Sequence, residues 1–163
     1  MRSPQGQMSS LVILKATAPE HFAQGRALFE DYQRWLAVDL SFQNFSAELE
    51  SIATMYGPPS GVLLVAKSGD LYAGCVGIRP LEGRCAEMKR MYVPEAFRGR
   101  GIGRALAEAS VSAARELGYA AVRLDTVPRL EAALAIYRSL GFVEIGAYRY
   151  NPHSDALFLE LKL

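Results

Sequence analysis

The chain has 163 residues, and half of them (50%) are hydrophobic, which is the size of one compact domain with a sizeable buried core. Its 18 lysines and arginines nearly balance 17 aspartates and glutamates, so the net charge of +1 excludes a general attraction to nucleic acid or to an anionic membrane. No apolar run reaches about 18 residues, and residues 1–10 lack the apolar core of a signal peptide. We therefore expect a disordered tail over residues 1–10, a single domain over residues 11–163, a cytoplasmic location, and neither nucleic acid nor membrane as a partner.

Cys75 and Cys85 are the only cysteines of the chain. Two cysteines are too few for a disulfide framework, and these two lack the partner residues and the spacing of a zinc site. We expect both thiols to be ordinary core or sheet residues in a reducing compartment, and we predict no metal.

The first predicted elements are a strand, a long helix and a second helical stretch. Residues 11–15 (LVILK) are β-rich, and a helix begins near Pro19, where proline fits the first turn. The apolar stripe of this helix continues to Leu40, and a second helical stretch at residues 46–55 ends before Gly57. Trp35 and Phe42 lie near this junction, where they either pack in the core or line a substrate pocket.

Three apolar runs follow, joined by turns short enough for an antiparallel meander; they are residues 61–67, 71–79 and 85–93. A helix comes next and stops at Gly118. The strand predicted at residues 120–126 (AAVRLDT) must run parallel to the third strand of the meander, because a whole helix separates the two. We expect this crossover to be right-handed.

The chain closes with a helix and two strands. Helical spacing of apolar residues from Leu130 ends at Gly141, and strands are predicted at residues 142–150 and 156–163. Taken together, the elements predict an α/β fold with a mixed central sheet of about seven strands and roughly four helices.

The stretch RGRGIGR, residues 98–104, lies where a strand pattern ends and a helical pattern begins. A helix N-terminus presents unpaired backbone N–H groups and the positive end of the helix dipole, and glycine lets a phosphate approach that backbone closely. Arginines at this position are unfavourable by about 0.3–1 kcal/mol each unless an anion compensates them. The simpler interpretation is a solvated turn, but the strand before it and the helix after it favour a phosphate site.

The spacing of the glycines narrows the choice of phosphate ligand. A dinucleotide fingerprint requires G-x-G-x-x-G, and counting from Gly99 or Gly101 puts Arg104 or Leu106 in place of the third glycine. The chain also lacks the G-K-[S/T] triplet that ends a Walker A loop. A dinucleotide and a nucleoside triphosphate are therefore both disfavoured.

The segment RGRGIG resembles the [Q/R]-x-x-G-x-[G/A] signature of the GNAT N-acetyltransferase superfamily, with Arg98, Gly101 and Gly103 at the fixed positions. The segment AALAIYRSLGF, residues 132–142, is similar to the A-x-x-[L/I]-Y-x-x-x-G-F helix end of the same family. The order of predicted elements over residues 11–163 also resembles the GNAT order. This resemblance implies a GNAT fold splayed between its fourth and fifth strands, with acetyl-CoA as cosubstrate and its pyrophosphate in the glycine loop.

The resemblance also implies roles for particular residues. Coenzyme binding falls on the end of the central strand and on the glycine loop, namely Met91, Tyr92, Val93, Arg98, Gly99, Arg100, Gly101, Ile102, Gly103 and Arg104. Tyr137 stands at the general-acid position of the family, where a phenol with a pKa near about 10 can protonate the departing thiolate. Packing in the core is the alternative for this ring. Leu130 stands where many members carry asparagine, and Asp125 or Thr126 are the candidates for that polar contact.

Glu87 lies eleven residues before Arg98 and is the candidate general base, because a catalytic glutamate stands at this distance in the histone acetyltransferase branch of the superfamily. An acceptor amine is mostly ammonium at neutral pH and must lose a proton, directly or through water, before it attacks. The alternative is a strand charge paired with Lys89 or Arg79. Candidate acceptor contacts are Trp35, Phe42, Arg149 and His153.

The leading hypothesis is an acetyl-CoA-dependent N-acetyltransferase that moves an acetyl group to a primary amine of a small molecule or peptide. A catalytically idle GNAT domain that binds or senses acyl-CoA is the alternative. The residues leave the acceptor open, and the two C-terminal strands offer an edge for a homodimer.

Overall fold

A computed structural model describes residues 10–37 and 44–163 of the chain. Phe42, and the predicted tail apart from residue 10, lie outside these described residues. The elements in chain order are β1 (Leu11–Lys15), α1 (Pro19–Leu36), α2 (Phe45–Glu50), α3 (Ile52–Met55), β2 (Val62–Ser68), β3 (Leu71–Glu82), β4 (Cys85–Tyr92), a 3-10 turn (Glu95–Phe97), α4 (Ile102–Glu116), β5 (Ala121–Thr126), α5 (Glu131–Ser139), β6 (Val143–Ile145) and β7 (Leu157–Lys162).

The strands form one seven-stranded mixed sheet in the order β1-β2-β3-β4-β5-β7-β6. All neighbouring strands are antiparallel except β4 and β5, which run parallel because helix α4 connects them. The predicted α/β class, the meander of β2 to β4 and the parallel placement of β5 are therefore confirmed.

β4 and β5 are paired only where both strands begin. The paired Cα positions are Cys85 with Ala121, Ala86 with Val122, and Glu87 with Arg123. β4 nevertheless continues to Tyr92 and β5 to Thr126. The two strands therefore part beyond Glu87, and backbone N–H and C=O groups of β4 face the gap, where they can bond to a ligand.

A bulge in β4 changes which side chains face each side of the sheet. The pairing with β3 shifts between Gly77, opposite Lys89, and Cys75, opposite Tyr92, and Arg90 has a φ of +60°. An extra residue at a bulge breaks the two-residue alternation of a strand. Charged side chains at two successive positions, 89 and 90, are both buried as a result.

Two apolar clusters hold helices against the sheet. In one cluster α4 and α5 contribute Leu106 and Leu134, which pack with Val122 of β5. In the other, Phe29 of α1 packs with Tyr56, and their rings meet edge to face with centroids 5.5 Å apart. Each such side chain stabilises the fold by about 1.5–3 kcal/mol when fully buried.

Two predicted elements are wrong in extent. The helical stretch expected at residues 46–55 is two short helices, α2 and α3, with a break at Ser51. The strand expected at residues 142–150 spans only Val143–Ile145, so Arg149 lies in a loop and does not alternate on a strand. The physical reason is that Tyr148 and Arg149 bond to a buried carboxylate of β4 and do not continue the ladder with β7.

Cys75 and Cys85 are free and buried, as expected for core thiols. Among the described residues, no helix is long and apolar enough to cross a membrane. The same residues contain no group of three or more His, Cys, Asp or Glu side chains placed to hold a metal ion.

Candidate active site

A cavity of about 700 Å³ lies where β4 and β5 part. Nearly all of the predicted coenzyme residues line it, namely Met91, Tyr92, Val93, Arg98, Gly99, Gly101, Ile102, Gly103 and Arg104. The opposite walls come from the end of β5, helix α5, the second half of α1 and the loop between β6 and β7. A cleft of this size whose surface is mainly apolar, with polar groups set into it, is typical of a small-molecule site.

The glycine loop follows a backbone path that requires glycine. Gly99 and Gly101 have φ angles of +79° and +78°. A Cβ added at either position would meet no atom within 4 Å, so the loop is open to a ligand. The first hydrogen bond of α4 runs from the Ala105 N–H to the Gly101 carbonyl at 3.1 Å. The N–H groups of residues 102–104 precede that bond and stand where helix starts bind anions.

The arginines of the loop have different surroundings. Arg98 donates from Nε to the Val93 carbonyl at 2.9 Å, and its guanidinium lies 4.5 Å from the centroid of the Trp35 ring. Arg104 is half exposed at the first turn of α4 and also lines the cavity. Arg100 is not among the lining residues, so its predicted coenzyme contact has no support in the cavity geometry.

Tyr137 on α5 lines the cavity and is only 7% exposed. Its hydroxyl lies 4.0 Å from the sulfur of Met91 on β4, and its ring packs against Phe142 with centroids 5.7 Å apart. Burial raises the pKa of this phenol above its ordinary value, so the hydroxyl stays protonated at neutral pH. A protonated phenol facing the end of β4 is able to donate a proton there.

Glu87 on β4 is fully buried, and both of its carboxylate oxygens accept hydrogen bonds. Oε1 accepts from Arg79 Nη2 at 3.0 Å and from Arg79 Nε at 3.2 Å. Oε2 accepts from the Tyr148 hydroxyl at 2.7 Å and is 2.6 Å from Arg149 Nη2. Burial raises the pKa of the Tyr148 phenol, so Tyr148 is a donor at neutral pH. Glu87 itself is not among the residues that line the cavity.

These contacts fasten the β6–β7 loop to the centre of the sheet. Tyr148 and Arg149 come from that loop, and the Tyr148 ring also meets Phe158 of β7 edge to face at 5.2 Å. The same loop carries Asn151 and His153, which line the cavity. Glu87 therefore holds in place a segment that shapes one wall of the cavity.

Lys89 and Asp125 form a second buried charged pair, and both line the cavity. Lys89 Nζ lies 3.8 Å from Asp125 Oδ1, and the two side chains are 3% and 6% exposed. Burial, with the neighbouring charge of Arg90, lowers the pKa of Lys89 to about 8. Asn151 donates from Nδ2 to Asp125 Oδ2 at 3.1 Å, which connects this pair to the β6–β7 loop.

Arg90, the bulge residue, forms a bidentate pair with Glu48 of α2. Arg90 Nη2 donates to Glu48 Oε1 at 2.9 Å and Arg90 Nε donates to Oε2 at 3.0 Å. The Tyr56 hydroxyl donates to the same Oε2 at 2.9 Å. Burial alone would raise the pKa of Glu48, but its hydrogen bonds with Arg90 lower it. The charge of Arg90 is thus neutralised within the protein.

Aromatic rings of α1 and β4 form the wall beside this pair. The Tyr32 ring lies 5.6 Å from that of Tyr92 and 6.3 Å from that of Trp35. Trp35 is 43% exposed, so it stands at the rim of the cavity. Arg129 also lies at this end and donates from Nη2 to the Leu36 carbonyl at 2.6 Å.

The predicted acceptor residues are only partly brought together. Trp35 and His153 line the cavity, whereas Arg149 borders a separate shallow depression and Phe42 lies outside the described residues. The sequence interpretation missed Lys89 as a lining residue and named Asp125 only as a substitute for the family asparagine. A signal was present, because charged residues at 87 and 89 interrupt an otherwise buried strand.

A mixed sheet that opens between two parallel strands, with a glycine-started helix at the opening, defines the acyltransferase fold implied by the sequence motifs. The family model "Acetyltransferase (GNAT) family" matches residues 23–142. The chain therefore belongs to the GNAT acetyltransferase family.

Similar proteins and solved structures span most of the chain. An uncharacterized N-acetyltransferase of Schizosaccharomyces pombe is 34% identical over 157 residues, covering 95% of this chain and 96% of that protein. A protein named IAA acetyltransferase from Azospirillum brasilense is 35% identical, covering 83% of this chain and 88% of its own length. The Salmonella typhimurium protein yncA, solved with its cofactor acetyl-CoA, matches with a TM-score of 0.66 at 20% identity, covering 93% of each chain.

Proposed function

We propose that the protein transfers the acetyl group of acetyl-CoA directly to a primary amine of a small molecule or peptide. The observation that carries this proposal is a single cavity lined by the glycine loop, by the edge of β4 beyond its last pair with β5, and by Tyr137. These are the three parts that a thioester donor needs: an anion site, a backbone edge and a proton donor.

The residues present fit coenzyme A. The N–H groups of residues 102–104 and the open glycine backbone suit a pyrophosphate, and Arg98 and Arg104 add positive charge to the same wall. The peptide groups of Met91 and Val93 lie on the part of β4 that has no β5 partner, so they are the candidates to bond the pantetheine arm and to polarise the thioester carbonyl. The relative solved with acetyl-CoA supports the same choice of cosubstrate.

In the proposed reaction the amine nitrogen bonds to the thioester carbonyl carbon, and the carbon–sulfur bond then breaks. The departing thiolate takes a proton from the Tyr137 hydroxyl, and the attacking amine gives up a proton to a base. Net transfer is complete when the phenolate regains that proton. Tyr137 fits the acid role because it is buried, protonated and within 4.0 Å of a β4 side chain at the gap.

Glu87 is the candidate base that accepts the proton of the attacking amine. Its oxygens already accept from Arg79 and Tyr148, and it does not line the cavity, so its action would require a bridging water. A purely positional role, in which Glu87 anchors the β6–β7 loop, competes with this assignment. The two roles predict different pH profiles for the Glu87→Gln variant.

The test combines coenzyme binding with transfer. Calorimetry with coenzyme A measures binding, and release of free thiol from acetyl-CoA in the presence of a panel of primary amines measures transfer. We expect binding and amine-dependent thiol release. Binding without release to any amine would favour the acyl-CoA-sensing alternative, and absence of binding would overturn the proposal.

A further inference from the structure

Lys89 and Asp125 stand opposite each other in the gap between the parallel strands. The last β4–β5 pair is Glu87 with Arg123, and Lys89 and Asp125 each follow it by two positions. Both side chains are more than nine-tenths buried, yet both line the cavity. They are therefore hidden from bulk water and reachable by a ligand that enters the cavity.

A buried ion pair gives little net stability, because removing two charges from water offsets their attraction. The separation of 3.8 Å between Lys89 Nζ and Asp125 Oδ1 is also longer than the roughly 2.7–2.9 Å of a tight charge-assisted hydrogen bond. Both charged groups line the cavity, so both are within reach of a ligand there. The Asn151 amide fixes the Asp125 carboxylate through its other oxygen at 3.1 Å.

We propose that the acceptor is a zwitterion, namely a free α-amino acid with an apolar side chain, whose ammonium group binds Asp125 and whose carboxylate binds Lys89. This inference rests on the proposed acetyltransferase function and names the substrate class of the same site. The ammonium and carboxylate of an amino acid are adjacent, as are Asp125 and Lys89, so each charge of the ligand meets an opposite charge of the protein. The bound complex then has four charges of alternating sign in place of the two in the free protein. Tyr32, Leu36 and Leu130 line the cavity and offer an apolar wall to the side chain.

The charge balance around the pair disfavours an acceptor that is only a cation. Arg90 is neutralised by Glu48, but Arg129 adds a further positive charge to the lining. A simple amine would bring its ammonium beside Lys89 without a compensating anion. A peptide N-terminus would present an uncharged amide to Lys89 in place of a carboxylate.

Lys89 is cationic under the conditions that this role requires. Its pKa of about 8 leaves the amine mostly protonated at neutral pH. The charged groups that act on it are Arg90 and Arg149, which lower its pKa, and Glu87 and Asp125, which raise it. Lys89 therefore carries a positive charge at pH 7 on the wall of the cavity.

The first arm of the test compares matched acceptors on the wild-type protein at pH 7. The pairs are phenylalanine with phenethylamine, leucine with isoamylamine, and tryptophan with tryptamine. Phenylalanine amide, in which an uncharged amide replaces the carboxylate, is added to the first pair. Free thiol release gives kcat/KM for each. We expect each amino acid to exceed its decarboxylated partner by at least about tenfold, the scale of one hydrogen bond to a charged group.

The second arm uses Lys89→Met, which keeps an unbranched side chain only one atom shorter and removes its charge. We expect kcat/KM for phenylalanine to fall at least about tenfold while that for phenethylamine does not fall. Calorimetric binding of phenylalanine to the protein–coenzyme A complex should weaken in parallel, which gives a readout independent of turnover. Lys162→Met, at an exposed position of β7, is the matched control and should change neither value.

The outcomes separate this inference from the proposed function. Coenzyme A binding with transfer to the decarboxylated amines at rates equal to or above those of the amino acids would overturn the zwitterion assignment alone. Coenzyme A binding without transfer to any amino acid of the set would overturn it as well. Loss of coenzyme A binding by the wild type would overturn the proposed function. If Lys89→Met does not fold, the wild-type comparison and Lys89→Gln still decide the matter.

Discussion

At the scale of single residues, Tyr137 offers the sharpest test of catalysis. We expect Tyr137→Phe to lower kcat by about 10²–10⁴-fold, the usual contribution of a general acid. Coenzyme A affinity should stay near the wild-type value, because the ring still packs against Phe142 and only the hydroxyl is lost. Steady-state thiol release and calorimetry measure the two quantities.

The matched control for that substitution is Tyr119→Phe, which removes a hydroxyl bonded to the Ser60 carbonyl and does not alter the cavity lining. It should leave kcat unchanged. A Tyr137→Phe protein that turns over at the wild-type rate would make Tyr137 a packing residue and would assign thiolate protonation to water or to another group.

Glu87 is tested through the pH profile of the reaction. If Glu87 is the base, Glu87→Gln lowers turnover and flattens the acidic limb of the kcat/KM profile, since that limb reports the protonation of the essential base. Coenzyme A binding should be retained. Arg149→Met is the comparison, because it removes one of the two contacts between Glu87 and the β6–β7 loop while leaving the carboxylate in place.

An anchoring role gives a different pair of results. Both Glu87→Gln and Arg149→Met would then raise the acceptor KM, and both would keep the acidic limb. That pattern would remove Glu87 from the chemistry. The steady-state parameters of the two variants at pH 6 to 9 therefore distinguish a base from a positioning residue.

Residues identified by a local motif were predictable from sequence, whereas residues brought together by strand register were not. Tyr137 and Gly101 carry their position in short patterns, and the structure places both on one cavity. The Lys89–Asp125 pair depends on the register of two strands separated by a helix, and on a bulge at Arg90. Nothing in the neighbouring sequence encodes that pairing. The catalytic roles themselves stay predictions.

At the scale of elements, the glycine loop and the start of α4 form the proposed pyrophosphate site. We expect Gly101→Asp to weaken coenzyme A binding by at least about tenfold, or about 1.4 kcal/mol, because it places bulk and negative charge at an anion site. Wild-type affinity should itself fall as salt rises, since exposed charges are screened. Calorimetry at two ionic strengths measures both effects.

Gly118→Asp is the control for backbone strain in this experiment. Gly118 lies just beyond the other end of α4 with a φ of +89°, close to the +78° of Gly101, and an added Cβ meets no atom at either glycine. The two variants thus share the strain and differ in their distance from the cavity. Equal coenzyme A affinity in Gly101→Asp and Gly118→Asp would refute the loop assignment.

The prediction of elements succeeded where apolar periodicity was strong and failed where polar side chains decided the path. Strands β2 to β5 and helix α4 follow their patterns closely. The strand expected after Phe142 stops at Ile145, because the side chains of Tyr148 and Arg149 turn back to Glu87. A long-range bond of this kind leaves no trace in local periodicity, so the shape of the acceptor wall required the structure.

At the scale of the whole molecule, the open sheet places charged groups inside a fold that is otherwise apolar. The pairing of β4 with β5 ends at Glu87, and the charged side chains beyond that point are buried under α1, α2 and the β6–β7 loop. A sequence with separate strand and helix signals predicts the layers of such a fold. It does not predict the gap itself, which entered the sequence interpretation only through the family resemblance. The burial of Lys89 at this gap also makes the free energy of unfolding depend on pH.

Lys89 should make the protein more stable as the pH rises from about 8 to 10.5, because its pKa falls from 10.5 to about 8 on folding. Below pH 8 the amine is charged in both states, so folding bears the whole net cost of holding Lys89 charged instead of neutral, about 3 kcal/mol. Between the two pKa values the unfolded chain binds more protons, and the free energy of unfolding therefore increases with pH.

Urea unfolding of wild type and Lys89→Met at four pH values from 7.5 to about 10.5 measures this gain. The difference between the two proteins should change with pH, since all other groups titrate in both of them. The exposed Lys162→Met control should differ from wild type by a constant amount. A constant difference for Lys89→Met as well would show that Lys89 has an ordinary pKa in the folded protein. That result would contradict the desolvation of its ammonium group.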